Sequence, residues 1–271
     1  MSPQPPHIDA SVLLIGAGGL GCPAAFALAA AGVTHIGVAD DDRVDVSNLH
    51  RQILHGAADV GELKVVSLAR ALTRRFPALK VTSHAVRFDS TSAAALVAAY
   101  DVIVDGSDNF ATKFLANDAA VLARKPLVHG AAVGTGGQLL TVPAGGRPCY
   151  RCLFEEPPPA GVGPSCAEAG VLGPVPGVIG ALQGAEAARL CAGDSPAFIG
   201  RLIQYDSAGM NARAIAFNPN PLCGVCGPAP RIRELAASNY LSGDSCTLSS
   251  GDSHTLSSGD SPALPVERCF V

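Results

Sequence analysis

The sequence contains no tryptophan, and aromatic residues occupy only 5% of its 271 positions. It has no run of basic residues, and its formal net charge at pH 7 is −4. Proteins that bind nucleic acids usually carry lysine and arginine side chains clustered on one face. The composition therefore gives no support for nucleic-acid binding.

Long apolar runs are also missing. No stretch approaches the ~20 apolar residues that cross a bilayer, and residues 1–6 lack the charged and apolar regions of a signal peptide. We therefore expect a cytoplasmic protein with no membrane segment. Apolar residues make up 48% of the chain, and the alternation of strand and helix patterns favours one large core over two small ones.

The hydrophobic pattern alternates between strands and helices through most of the chain. Expected strands are 12–15, 35–40, 81–86, 102–104, 127–131 and 138–142, with a later strand pair at 200–206 and 212–217. Expected helices are 20–31, 61–75, 92–99, 110–123 and 177–191. Such alternation is typical of a parallel sheet covered by helices. We predict an α/β fold with a Rossmann-like, doubly wound, mainly parallel sheet and an added antiparallel part.

Residues 12–21 read VLLIGAGGLG, an apolar run that ends in a glycine cluster and leads into an alanine-rich helix. Gly16 allows a tight turn, and Gly18 and Gly19 let backbone N–H groups approach a phosphate. Gly21 lets the helix pack closely on the strand. The start of a helix favours anions, so this turn predicts a nucleotide site. Alone, it suggests a dehydrogenase.

An acid ends the second strand. Asp40 follows the glycine turn at about the distance of 20 residues that a ribose-binding acid requires, although a helix-capping role is the alternative. The next segment is dense in acids and then in side chains that can bind a phosphate, namely Asp42, Ser47, Asn48, Arg51 and Gln52. A dehydrogenase has no need of this segment.

Lys64 lies near the first turn of a predicted helix, where the helix dipole disfavours a cation. A phosphate partner would explain it, and an exposed lysine without a role is the alternative. Asp108 and Asn109 follow the fourth strand, at the sheet edge where ligands bind. Asp108 is the candidate ligand for Mg²⁺, whereas Asn109 is as consistent with capping the helix from Phe110 as with function.

The nine cysteines are an odd number, and four of them form two C-x-x-C pairs. Cys149, Cys152, Cys223 and Cys226 can supply four thiolates to a tetrahedral structural Zn²⁺ site that joins distant parts of the chain. Unrelated or redox-active pairs are the alternatives. A zinc site with four cysteine ligands leaves no open position for catalysis.

The other five cysteines stand alone, and three of them lie within the alternating strand and helix pattern or the segment that interrupts it. Cys166 lies in a segment rich in proline and glycine, which we expect to be mobile, so this thiol can be accessible to a partner. Cys22 and Cys191 fall inside apolar helices and are expected to be inert. Beyond residue 230, the seven residues at 247–253 recur at 255–261, with a period of eight. We therefore divide the chain into a domain at 1–232 and a low-complexity tail without regular structure at 233–271.

Together, these motifs resemble the ThiF/MoeB/HesA family of E1-like adenylyltransferases, which are bacterial relatives of ubiquitin-activating enzymes. The resemblance extends from about residue 12 to residue 226 and rests on an ordered set of motifs. The set comprises the glycine turn at 16–21, Asp40 with Asp42, the SNLHRQ segment at 47–52, Lys64, Asp108 with Asn109, both cysteine pairs and the CAEAG segment at 166–170.

The resemblance implies an ATP site and a reaction. The implied contacts are Gly19 at the phosphates, Asp40 at the ribose, Asn48, Arg51 and Lys64 at the triphosphate, and Asp108 at Mg²⁺. The implied reaction is adenylation of the C-terminal glycine carboxylate of a small ubiquitin-like sulfur-carrier protein, with release of pyrophosphate. In some relatives the cysteine that matches Cys166 forms a covalent link with the carrier.

The resemblance further implies a homodimer, and a separate protein as sulfur donor because no rhodanese-like domain follows the second cysteine pair. Family members of this length usually begin with a Tyr-x-Arg-Gln pattern whose arginine reaches the partner subunit's ATP site. Residues 1–10 contain no arginine. We expect either that this role is filled otherwise or that the enzyme is slow or degenerate.

The sequence also allows other functions. A dinucleotide-dependent oxidoreductase would explain the glycine turn and Asp40, but it leaves Arg51, Lys64 and the cysteine pairs without a role. A non-catalytic scaffold that binds the carrier would fit the missing arginine segment. Adenylation of a peptide or a modified tRNA is a further variant, and the weakly acidic chain argues against tRNA.

Overall fold

The computed structural model describes residues 7–158 and 170–240. In this part of the chain, eight strands are found: β1 Ile8–Ile15, β2 Val33–Ala39, β3 Lys80–His84, β4 Val102–Asp105, β5 Leu127–Val133, β6 Gly136–Val142, β7 Arg201–Asp206 and β8 Asn211–Ala216. They form one sheet in the order β3-β2-β1-β4-β5-β6-β7-β8. The strands from β3 to β5 are parallel, and β6, β7 and β8 continue the sheet antiparallel. This confirms the predicted fold class.

The helices are α1 Gly21–Ala31, α2 Lys64–Arg75, α3 Ala93–Ala98, α4 Phe110–Leu122, α5 Tyr150–Leu153 and α6 Pro174–Cys191. Each longer helix predicted from the sequence is present, with ends that differ by a few residues. The largest differences between predicted and observed bounds are at the N-terminal ends of the elements. Helix α6 begins at Pro174 because proline, which has no N–H to leave unpaired, suits the first turn of a helix. Strand β1 begins at Ile8, whose N–H donates to Gly32 O at 2.9 Å.

Strand β1 is apolar at consecutive positions because both faces of the sheet are covered. Leu13 and Ile15 belong to a core that includes Phe114 of α4. Val12 and Leu14 belong to a second core, which includes Leu28 of α1. Neighbouring side chains of a strand point to opposite faces, so a strand between two helical layers needs apolar residues throughout.

The helices that follow β1 and β4 therefore lie on opposite faces of the sheet. This is the point in a doubly wound fold where a crevice opens at the carboxyl ends of the strands. The segments that follow β1 and β4 approach each other closely there, because a Cβ on Gly16 would lie 3.0 Å from Gly106 O. Gly16 also has a φ of +97°. Glycine is required at this turn on both grounds.

Helix α6 crosses α1 with the two backbones almost in contact. A Cβ on Gly180 would lie 2.3 Å from Leu20 O, and one on Gly184 would lie 2.6 Å from Ala24 O. This packing places Pro176 of α6 beside the glycine turn, 3.3 Å from where a Cβ of Gly19 would be.

Leu235 and Tyr240, which follow the domain boundary drawn from the sequence, pack against the core. Tyr240 is only 6% exposed. Cys166, the repeats at 247–261 and the rest of 241–271 lie outside the described residues. Cys22 is buried in α1, and Cys191 is the last residue of α6. None of the helices in the described ranges is long and apolar enough to cross a membrane.

The contact between α1 and α6 yields a stability prediction. We expect Gly180→Ala to lower the free energy of unfolding by about 1–3 kcal/mol, the usual cost of overpacking, because the added methyl group meets the α1 backbone. Gly177→Ala, one turn earlier in the same helix, is the matched control, since a Cβ there meets nothing within 4 Å. It should be neutral or stabilising by up to about 1 kcal/mol. Urea titration of both variants checks this, and equal effects would contradict the packing.

Candidate functional site

A cavity of about 660 Å³ opens at the carboxyl ends of β1, β2 and β4. Most of its lining comes from the glycine turn, the segment after β2, the start of α2, and the segments after β3 and β4, and the end of β5 and the start of α6 contribute as well. Among them are Gly16, Gly18, Gly19, Asp40, Asp42, Asn48, Arg51, Gln52, Lys64, Asp108 and Asn109. Eleven residues singled out from the sequence, far apart along the chain, therefore share one cavity.

Two other residues from that set do not line the cavity. Gly21 packs against the backbone of the turn, where a Cβ on it would lie 2.0 Å from Gly16 O. Ser47 is bound to its own segment, since its hydroxyl donates to Asp45 Oδ1 at 2.6 Å. Gly21 thus permits the turn, while Ser47 helps to shape the loop that carries Asn48.

Asp40 fastens the glycine turn to the end of β2. Its Oδ2 accepts a hydrogen bond from Ala17 N at 2.7 Å, and its Oδ1 accepts one from Asp42 N at 2.8 Å. Burial raises the pKa of Asp40, and these two N–H donors act in the opposite direction. Asp40 therefore holds two backbone segments together while it lines the cavity.

Lys64 is the first residue of α2 and is only 6% exposed. Its Nζ lies 2.7 Å from Asp42 Oδ2, and its N–H donates to Asp42 O at 2.9 Å. The alternative interpretation of Lys64 as an exposed side chain is therefore wrong. The cation is fixed at the cavity wall by a carboxylate that itself faces solvent.

Arg51 lies across the glycine turn. Its NH2 group donates to Asn48 Oδ1 at 2.7 Å, and its Cγ would be 3.3 Å from a Cβ on Gly19. The neighbouring Gln52 is 3% exposed, and its Oε1 has no hydrogen-bond partner among residues 7–158 and 170–240. The segment 48–52 thus places a guanidinium group and an amide over the turn.

Asp108 and Asn109 behave differently although they are adjacent. Asn109 caps α4, since its Oδ1 accepts a hydrogen bond from Thr112 N at 2.9 Å. It lines the cavity as well. Asp108 is exposed and makes no hydrogen bond or ion pair with the described residues. Its carboxylate oxygens are available to a cation in the cavity.

Sequence reasoning missed a buried charged group beneath the cavity. Lys113 of α4 donates from Nζ to Ser107 O at 2.7 Å and to Gly130 O at 2.8 Å. Asp105 at the end of β4 lies 3.6 Å from this ammonium group and 2.7 Å from His129 Nδ1. Burial alone would raise the pKa of Asp105, but Lys113 and His129 hold it well below its usual range.

Burial, together with the charge of Lys113, lowers the pKa of His129, while the nearby Asp105 carboxylate acts in the opposite direction. Asp105 also accepts from the N–H and hydroxyl of Ser107, at 2.9 and 2.6 Å. These bonds hold the segment that carries Asp108.

Arg87 and Phe88 also line the cavity. They follow β3 directly, and this position at the carboxyl end of a strand could have identified them from the sequence.

The four predicted cysteine ligands come together. The Sγ atoms of Cys149 and Cys223 are 3.6 Å apart, those of Cys152 and Cys226 are 3.4 Å apart, and those of Cys149 and Cys152 are 4.0 Å apart. Zinc–sulfur bonds of about 2.3 Å in a tetrahedron place sulfur atoms about 3.8 Å from one another. The cluster can therefore hold one metal ion with four thiolates.

A buried ion pair positions the first cysteine pair. Arg151 of α5 binds Asp118 of α4 through Nε–Oδ1 at 2.8 Å and NH2–Oδ2 at 2.9 Å. Asn117 Oδ1 accepts a hydrogen bond from Tyr150 N at 2.9 Å. The cysteines are thus anchored on the helix that begins at the cavity edge, although they are not part of the cavity wall.

The cavity combines a glycine turn, cations, and a carboxylate free to bind a metal. Backbone N–H groups and cations suit phosphates, and hard carboxylate oxygens suit Mg²⁺. A nicotinamide ring carries no negative charge with which to bind Arg51. The arrangement suits a nucleoside triphosphate with a divalent cation.

Comparison with known proteins agrees with this chemistry. The sequence model of the ThiF family matches residues 8–225. The chain is 47% identical over 231 residues to a sulfur carrier protein adenylyltransferase from Thermus thermophilus, covering 83% of this chain and 85% of that protein. It is 46% identical over 239 residues to adenylyltransferase and sulfurtransferase MOCS3 from Anopheles gambiae, covering 88% of this chain and 54% of that protein. It thus spans about half the length of the MOCS3 relative.

Solved structures share the fold. The crystal structure of E. coli MccB matches with a TM-score of 0.73 and 24% identity, covering 82% of this chain and 66% of that chain. A crystal structure of PaaA matches with a TM-score of 0.65 and 18% identity, covering 78% of this chain and 65% of that chain. The family resemblance inferred from the motifs is confirmed by the matching family model and the curated relatives.

Proposed function

Because this chain belongs to the ThiF family, we propose that it adenylates the C-terminal carboxylate of a small ubiquitin-like sulfur-carrier protein with ATP. The observation that carries the proposal is the single cavity in which the glycine turn, Arg51, Lys64 and Asp108 come together. The name of the Thermus thermophilus relative supports a sulfur carrier as the substrate. A non-catalytic scaffold is not favoured, because it would not need these four features in one place.

The lining residues suggest how ATP is bound. Asp40 faces the ribose, and the glycine turn contributes the N–H groups of Gly18 and Gly19 to the phosphates. No described residue accepts a hydrogen bond from either N–H group. The triphosphate then lies between Arg51 and Lys64, with Asn48 and Gln52 contributing polar atoms from the same segment as Arg51. Preorganised donors of this kind stabilise charge that builds up in a transition state.

Asp108 is the residue we propose for Mg²⁺. Magnesium in nucleotide sites is usually bound by one or two carboxylates together with substrate phosphates, and Asp108 has unused carboxylate oxygens at the cavity wall. When bound, the cation supplies positive charge that offsets the negative charge of the phosphates. Asn109 keeps the helix start in place, and Lys113 keeps Ser107 in place.

The proposed reaction is a displacement at the α-phosphorus. A carboxylate oxygen of the carrier's C-terminal glycine forms a bond to this phosphorus, and the bond from the phosphorus to the bridging oxygen breaks. Pyrophosphate leaves with the electron pair, and the carrier becomes an acyl-adenylate. No proton needs to be transferred, so catalysis is a matter of positioning and electrostatic stabilisation.

A second cavity offers a path for the carrier's C-terminal segment. Its volume is about 350 Å³, and strands β5 to β8 line it. Residues 131–133 line both cavities, so the two spaces are adjacent. An extended chain lying along these strands would direct its end toward the glycine turn. Cys166 lies outside the described residues, and its covalent link to a carrier is proposed from the family resemblance alone.

Two further parts of the proposal concern partners. We propose a homodimer, supported by the exposed apolar side chains Leu172, Val178 and Leu182 at and before α6, because exposed apolar residues on one helix face favour association. We also propose that a separate protein supplies the sulfur. The adenylation step proposed here needs no sulfur donor of its own.

We propose that the cysteine cluster binds structural Zn²⁺. Four thiolates at tetrahedral spacing form a closed site, which stabilises a fold without taking part in catalysis. Such thiols must stay reduced, which agrees with the cytoplasmic location expected from the sequence. The site joins the segment at 149–152, before α6, to the segment at 223–226, after β8.

ATP–pyrophosphate exchange tests the proposed reaction. With the cognate carrier, we expect Arg51→Ala and Asp108→Ala each to reduce the exchange rate by about 10²–10³, as for the loss of one preorganised electrostatic group. Arg74→Ala and Asp194→Ala are controls of matched chemistry at exposed positions away from the cavity. Exchange that is unchanged in both cavity variants would contradict the proposed reaction.

Metal analysis tests the proposed zinc site. We expect one zinc ion per chain in the wild type and its loss in Cys223→Ser, because three thiolates no longer close the tetrahedron. Loss of a structural metal costs several kcal/mol, which at about 2–4 °C per kcal/mol lowers the Tm by roughly 10 °C. Cys191→Ser, outside the cluster, should retain the metal. A stable, metal-free wild type with reduced cysteines would exclude the site.

A further inference from the structure

His55 lies behind the glycine turn and is 7% exposed. Its Nε2 is 2.9 Å from Ala17 O, and its Nδ1 is 2.8 Å from Ser67 Oγ. Ser67 Oγ is in turn 3.0 Å from Asp59 Oδ2. A chain of hydrogen bonds therefore runs from the turn, through the imidazole, to α2 and the loop before it.

The protonation of Nε2 follows from its partner. Ala17 O is a carbonyl oxygen and can only accept, so Nε2 must carry the hydrogen. The Ser67 hydroxyl has one hydrogen, which it donates either to a neutral His55 Nδ1 or to Asp59. In the second arrangement, Nδ1 also carries a hydrogen and donates to Ser67. Both arrangements leave the Nε2–H bond to Ala17 in place.

The Ala17 peptide is consequently held from two sides. Its N–H donates to Asp40 Oδ2 at 2.7 Å, and its carbonyl accepts from His55 at 2.9 Å. The Cys22 thiol adds a weaker bond to the same carbonyl at 3.3 Å, and burial raises the pKa of this thiol to about 12, so it stays protonated. The residues on either side of Ala17 are Gly16 and Gly18, and without a Cβ their backbone dihedral angles are only weakly restricted.

His55 also connects the parts of the ATP cavity that carry cations. The backbone N–H of His55 donates to Gln52 O at 3.0 Å, so His55 is also bonded to the segment that carries Arg51. Its partner Ser67 lies one turn after Lys64 on α2. A residue that does not line the cavity therefore touches three of the segments that do.

We infer that His55 is a positioning residue that, through the Ala17 carbonyl, holds the glycine turn in the orientation that receives the triphosphate. The inference rests on the proposed ATP site. It assigns no contact between His55 and ATP. It requires that loss of the Nε2–H donor weaken the binding of phosphates and leave the binding of the nucleoside portion unchanged.

The test compares two replacements that differ in reach. The side-chain nitrogen of Gln can occupy the place of Nε2, whereas that of Asn corresponds to Nδ1 and does not reach Ala17. We expect His55→Asn to weaken ATP binding roughly three- to tenfold, the effect of losing one hydrogen bond, with adenosine binding unchanged. His55→Gln should restore most of the ATP affinity. Calorimetry with each ligand, at matched Mg²⁺, gives the two dissociation constants.

Further variants separate positioning from a loss of fold. His35→Asn is the matched control and should leave both constants unchanged, because His35 pairs with Thr82 of β3 and neither residue lines the cavity. Ser67→Ala keeps the imidazole but removes its support, and should weaken ATP binding by a smaller factor in the same direction. If His55→Asn does not fold, the ATP-to-adenosine ratio of Ser67→Ala decides.

The outcomes distinguish this inference from the proposed function. Wild type that binds ATP, with His55→Asn affecting ATP and adenosine equally or neither, overturns the inference and leaves the proposed function intact. Failure of Gln to restore affinity overturns the inference as well. Wild type that binds adenosine but not ATP contradicts the proposed function, and the inference falls with it.

Discussion

The close approach of Gly16 and Gly21 determines where β1 ends and α1 begins. A Cβ on Gly21 would lie 2.0 Å from Gly16 O, and Gly16 itself has a positive φ, so neither position accepts a larger residue without strain. The narrow turn that results brings Ala17 within reach of both Asp40 and His55. The site therefore depends on a backbone contact, and the charged side chains are arranged around it.

The charges around the turn fall into two groups. Lys64 and Lys113 are buried and have fixed acidic neighbours, Asp42 and Asp105, because an unpaired buried cation would be costly. Asp108, by contrast, has no partner within the described part of the chain. The paired charges are thus held in place before a ligand binds, whereas the Asp108 carboxylate is unpaired. A site built in this way has little to rearrange when charged substrates enter.

Much of this could be predicted from the sequence because the causes are local. A glycine turn after an apolar strand, an acid at the end of β2 and paired cysteines each have their own spacing. The contacts of Asp105 with Lys113 and His129 were not predicted, because they arise only when α4 packs over β4 and β5. Ser47 shows the limit of local reasoning. A serine hydroxyl can bind a phosphate, but the hydroxyl of Ser47 donates to Asp45, two residues earlier. Short polar side chains in loops often form such local hydrogen bonds.

In the proposed reaction, the cavity brings a carrier's terminal carboxylate to the α-phosphate of ATP. Intact-mass spectrometry detects the product of this step: a small ubiquitin-like sulfur carrier ending in glycine is incubated with this protein, ATP and Mg²⁺. We expect carrier molecules heavier by one adenylyl group, together with pyrophosphate, and no such product from a carrier that lacks its terminal glycine. ATP binding with an unmodified carrier and no pyrophosphate would show that the protein does not catalyse this transfer.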